Sequence, residues 1–133
     1  MAVNPNIDER RYDIPLKEAT VAGEQRKIRY TVREKQLAGT FINAASFATY
    51  SEWECFIFDK LGDGGKTSAE RQAAALIYVA TASISVVAVP YAIATLSSTA
   101  TQSLKAGMRA HELWAKVNSE WTRLSYGEFP VVD

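Results

Sequence analysis

The chain has 133 residues, the length of one domain, and its 15 basic and 15 acidic side chains balance. Without a charge bias there is no argument for a nucleic-acid partner. A single cysteine, Cys55, excludes an internal disulfide and a cysteine metal cluster, and a single histidine, His111, excludes a His–His metal pair and disfavours a His-based triad. With no Ser–His–Asp, dinucleotide or zinc pattern either, the chain is expected not to be an enzyme.

Residues 1–23 carry Pro5, Pro15, many charges and no clear period, and read as an extended N-terminal arm. Acidic residues from Asp8 to Glu34 and the lack of an apolar core argue against a secretory signal. From Arg26 to Arg33 the pattern is ambiguous. Ile28, Tyr30 and Val32 alternate with polar residues, as in a strand. Yet Glu24 to Lys35 holds no Gly or Pro and runs into a helix-like segment, which favours a helix over 24–60. Leu37–Phe58 is apolar but interrupted by Asn43, Glu52 and Glu54. A carboxylate at bilayer depth costs about 2.5–3.5 kcal/mol. The segment therefore reads either as a second membrane helix with its carboxylates turned to a partner or the headgroups, or as an interfacial helix.

Gly62, Gly64 and Gly65 place a loop at 61–67, and Thr67 with Glu70 forms a capping box that starts a helix over 68–124. Within it lies a charge-free run of 33 residues, Gln72–Leu104. A membrane-spanning helix needs about 20 consecutive apolar residues, so the run predicts a transmembrane helix at Ala73–Leu96, kinked at Pro90. The alternative is a helix buried in a soluble bundle, which the Ala, Ser and Thr content also suits. Beyond the run, Ala106, Ala110, Leu113, Val117, Trp121 and Leu124 recur at three- and four-residue steps, predicting an amphipathic helix. Its apolar side offers Trp114, Val117, Trp121 and Leu124 as candidate docking residues for another subunit. Residues 127–133 read as an extended tail. The expected fold is all-α: a long helical hairpin with one or two transmembrane helices, integral to a membrane. If both helices span, the basic flanks put the termini on the cytoplasmic side.

Two stretches resemble known families. Asp59–Glu70 resembles an EF-hand calcium loop, with Asp59, Asp63, Gly65 (through its carbonyl), Thr67 and Glu70 at ligand positions and Gly64 at the invariant glycine. Leu61 stands where the family has a ligand, and Lys66 where it has an aliphatic residue. The resemblance implies calcium as the one candidate cofactor. Gly64-Gly65-Lys66-Thr67 fails as a phosphate loop, because Lys60 stands where that motif needs its first glycine. The order of basic flank, helical hairpin and Trp-rich amphipathic helix is similar to the SLATT two-span membrane effector domains, which implies a self-oligomerising pore. The leading functional expectation is a non-enzymatic accessory or structural subunit of a larger membrane complex, with the lipid bilayer and other subunits, or copies of itself, as partners. The alternatives are the pore-forming effector and a soluble helical scaffold or virion component.

Overall fold

The computed structural model describes residues 7–35 and 40–133, and the architecture is a two-sheet β fold. In chain order the strands are β1 (Arg10–Arg11), β2 (Thr20–Val21), β3 (Arg26–Thr31), β4 (Arg33–Lys35), β5 (Phe41–Asn43), β6 (Tyr50–Phe58), β7 (Ile77–Val79), β8 (Ile84–Ser85), β9 (Tyr91–Leu96), β10 (Gly107–Val117) and β11 (Glu120–Val132). Two short helices, α1 (Ser68–Ala74) and α2 (Ser98–Gln102), and two 3-10 turns complete it. The main sheet has the order β1–β11–β10–β6–β7, with β2 also pairing with β11. A second sheet has the order β3–β9–β8, and β4 and β5 form a separate hairpin.

Alternation decides which face each strand buries. In β3, Ile28 and Tyr30 are buried while Lys27 and Arg29 are exposed. In β9, Ala92, Ala94 and Leu96 are buried. They meet Cys55, Ile57, Leu113, Ala115 and Val117 from the main sheet, and this inter-sheet layer is the principal core. The outer face of the main sheet carries a second, smaller cluster, Phe56, Phe58 and Ala110 with Trp114 beside them. The longest strand pair, β10–β11, turns on Asn118 and Ser119, both at positive φ (47° and 71°). Two such residues between the paired Val117 and Glu120 make a two-residue hairpin turn whose twist matches the strands.

The expected all-α hairpin is therefore corrected. The helix expected over 24–60 is replaced, among the described residues, by β3 to β6, and the helix expected over 68–124 stops at Ala74. Its start was read correctly: the Thr67 hydroxyl accepts from the Glu70 N–H at 3.1 Å and caps α1. The charge-free run is the end of α1, then β7, β8, β9 and α2, and no helix among the described residues is long and apolar enough to cross a membrane. The membrane-helix and helical-hairpin expectations fall with it, and the integral-membrane expectation loses the helix on which it rested. The reason is side-chain shape. Ile77, Val79, Ile84, Val86, Val87, Val89 and Ile93 are β-branched, restricted in a helix and well fitted to a pleated sheet. The amphipathic helix past Lys105 is the β10–β11 hairpin, and the tail at 127–133 belongs to β11. Of the expected N-terminal arm, residues 1–6 lie outside the described residues; the rest carries β1, a 3-10 turn and β2. Residues 36–39, where the expected second segment begins, also lie outside them.

Candidate binding groove

The two sheets are joined along one seam and parted along the other. At the joined seam β7 lies against β9 and β6 against β8. At the other, the chain begins by pairing: Ile7 bridges Glu34, and the Asp8 N–H donates to the Arg33 carbonyl at 3.0 Å. The pairing then stops. Arg10 and Arg11 are in register with Ser125 and Tyr126 of β11, and the Tyr12 and Ile14 N–H groups donate to the Tyr126 and Glu128 carbonyls at 2.7 and 3.0 Å. The N-terminal segment passes from β4, in the separate hairpin, to β11 of the main sheet. A groove of about 390 Å³ opens between it and β3.

The walls of this groove are basic and aromatic. Arg10, Arg26, Lys27 and Arg29 line it with Tyr12 and Tyr30, and Glu18 is its one acidic wall residue. Elsewhere most cations near the sheets are matched. Arg11 pairs with Asp13 and Glu128, Arg33 with Asp8, Arg109 with Asp59, Lys116 with Glu52, and Arg123 with Glu9 and Glu112. Among the described residues none of the groove cations pairs with a carboxylate. Arg26 donates through Nη1 to the Glu18 carbonyl at 2.6 Å, while its Nε is buried with no hydrogen-bond partner. Arg29 lies over the Tyr91 ring at 4.6 Å, which fixes its stem on the outer face of the second sheet.

Behind the groove runs a buried polar chain. His111 Nε2 lies 2.6 Å from the Tyr12 carbonyl, and its Nδ1 lies 2.8 Å from the Tyr30 hydroxyl. A carbonyl can only accept, so Nε2 carries the proton and Nδ1 accepts from Tyr30. The Tyr30 oxygen, its proton committed, is left to accept from the Cys55 thiol at 3.5 Å. Gly127 makes this possible. It pairs with His111 across the β10–β11 ladder, and a Cβ there would stand 2.1 Å from the Tyr12 carbonyl oxygen. Burial dominates the titration of the chain. It lowers His111 to about 4, against opposing contributions from the Tyr12 carbonyl and the Asp13 charge, with Arg26 adding to the lowering. It raises the Cys55 thiol to about 12 and holds the Tyr30 hydroxyl well above the usual tyrosine range.

A second polar cluster lies on the opposite face of the main sheet. Arg71 is fully buried, with its guanidinium 3.6 Å from the centre of the Trp114 ring. Its Nη1 donates to the Lys66 carbonyl at 3.0 Å, and Nη2 lies 4.0 Å from Glu54, a charge contact beyond hydrogen-bond reach. Glu54 accepts from Ser68, Gln72 and Tyr78, and Glu112 from Trp114 and Arg123. Burial lowers the Arg71 pKa, with Glu54 and Glu112 opposing. An arginine stays protonated even so, and it pins α1 and the glycine-rich loop to the sheet.

The residues singled out from the sequence do not gather into one site. Asp59 pairs with Arg109, Asp63 accepts from the Lys60 N–H, Thr67 and Glu70 bond to each other at the cap, and Gly65 packs against Glu70. The element leading into that loop is strand β6 rather than a helix, and no cluster of three or more His, Cys, Asp or Glu among the described residues is placed to hold a metal. Val117 and Leu124 are buried between the sheets. Trp114 lies under Arg71, and Trp121 lies 5.8 Å from Lys116 Nζ. The groove residues were missed because Arg26–Arg33 was read as helix. The period-two signal of Ile28, Tyr30 and Val32 would have found β3.

These features define a class: a small two-sheet β protein with one seam open and lined by unmatched cations. No family model, no curated protein and no solved structure matches the chain.

Proposed function

We propose that this chain is a non-enzymatic binding module, an accessory or structural subunit of a larger protein assembly, and that it docks its partner through the open seam between β1 and β3. The observation that carries this reading is the contrast in charge matching. Most cations along the rest of the sheets have carboxylate partners, and among the described residues those of the groove have none. Cations left unmatched along a concave wall favour an incoming anionic surface. A non-catalytic role is supported by the state of the reactive groups. Cys55 is buried and held as a thiol, His111 is held neutral with both ring nitrogens bonded, and Glu54 and Glu112 are buried under neighbouring donors.

Charge reversal tests the reading. Arg26→Glu with Arg29→Glu is expected to abolish co-purification of the natural partner from the source cells while the thermal unfolding profile stays cooperative. Retention of the same partner by the folded double variant would overturn it.

A further inference from the structure

We infer that the groove takes an extended acidic segment of a partner protein, which adds as a strand to the free edge of β3. This rests on the reading of the seam as a docking site and names its ligand.

The phase of β3 comes from its end. The Val32 N–H donates to the Pro90 carbonyl at 2.8 Å, and the register runs Thr31 to Tyr91, Tyr30 to Ala92 and Arg29 to Ile93. In an antiparallel pair the residues alternate between those bonded to the neighbour and those turned away. Arg26, Ile28 and Tyr30 therefore share the phase of Val32 and bond to β9. Lys27, Arg29 and Thr31 turn their N–H and carbonyl groups into the groove, which they line. β3 is an edge strand of its sheet. An edge of alternating free donors and acceptors is a template for another strand. The opposite wall starts antiparallel to β4, which follows β3 in the chain, at Ile7 and Asp8 against Glu34 and Arg33, before it leaves for β11. The groove is thus a strand-shaped gap, and a strand of about five residues spans it.

Charge selects the kind of strand. Lys27 and Arg29 project on one face of β3, so a partner strand with Glu or Asp at every second position sets its carboxylates opposite them. Arg10 lines the gap from β1, and Arg26 lines it from the start of β3. Glu18 opposes them as the one acidic wall residue, and its carbonyl already holds Arg26 in place.

The test uses the full chain and a fluorescein-labelled peptide, Thr-Glu-Val-Glu-Thr-Glu, followed by anisotropy and by amide hydrogen exchange. A Thr-Lys-Val-Lys-Thr-Lys peptide and free citrate at matched ionic strength are the controls. The acidic peptide should bind, the basic one should not, and the Lys27, Arg29 and Thr31 amides should become protected. Thr31→Pro removes one edge donor without touching charge or the β9 ladder, and should weaken the peptide by roughly tenfold while leaving thermal unfolding unchanged. Arg29→Glu should weaken it at least as much. Absence of binding, equal binding of the basic peptide, or citrate binding as tightly as the peptide with Thr31→Pro changing neither would each overturn the inference. The docking role would survive those results if the charge-reversed double variant still loses its partner on co-purification.

Discussion

His111 shows how burial can hold a single side chain in one protonation state. Its ring donates to a carbonyl on one side and accepts from Tyr30 on the other, and its burial disfavours a second ring proton. The consequence for stability has a definite sign. An unfolded histidine titrates near 6.5, and folding lowers His111 to about 4. Between those values the unfolded chain binds a proton that the folded chain refuses. The contribution is therefore complete above about pH 6.5 and is lost as pH falls toward 4, reaching roughly 3 kcal/mol at its full extent. His111 is the one histidine of the chain, and Asp13, also held below its usual range, adds its own loss only below about pH 5, so the limb between pH 7 and 5 is that of His111. Urea unfolding at pH 7.0 and 5.0 should show the loss, and His111→Gln, which can donate to Tyr12 and accept from Tyr30 without titrating, should flatten it. An equal slope in wild type and His111→Gln would contradict the account. None of this was legible in the sequence, where His111 beside Glu112 gave no sign that Gly127 would clear its path to Tyr12.

At the scale of elements, α1 and the loop before it depend on Arg71. A helix of seven residues is marginal by itself, so its place is set by tertiary contacts. The guanidinium spans the Trp114 ring, the Lys66 carbonyl and the charge of Glu54. Removing it leaves Glu54 and Glu112 buried beside a void. Arg71→Ala should cost about 3–5 kcal/mol in denaturant unfolding, the range for breaking a buried charge cluster. Arg71→Lys should fall between, since it keeps the charge but loses the planar stack and the fork of donors. A loss under about 1 kcal/mol for Arg71→Ala would show that the cluster is not what holds α1. The elements also explain what the sequence hid. The Thr67–Glu70 cap and the glycine-rich turn are local signals, and they were read as they form. The β10–β11 hairpin is not local. Leu113 faces Ser125 while Trp114 faces Arg123, so Leu124 is an extra residue in the ladder. Leu113 and Val117 share one face of β10, Trp121 pairs with Lys116 on the other, and Leu124 is the bulge residue, so alternation, turn and bulge together mimic the spacing of a helix face.

At the scale of the molecule, one seam of the two-sheet fold is packed and the other is not. In the charge-free run β7, β8 and β9 bury alternate residues at the packed seam, and their outward positions carry the uncharged Tyr78, Ser85, Tyr91, Ile93 and Thr95. A helix crossing a membrane and a set of short uncharged strands look alike in mean hydropathy, and the density of β-branched residues is what separates them here. The open seam carries its own signature in the alternation of β3, with Lys27 and Arg29 outward and Ile28 and Tyr30 inward. The most direct test of the account is residue-resolved amide hydrogen exchange on the free chain, read along β3. The account predicts an alternating pattern: Ile28 and Tyr30 slow, Lys27, Arg29 and Thr31 fast. Uniform protection from Lys27 to Thr31 would mean that the edge is closed, and would contradict both the open seam and the docking role built on it.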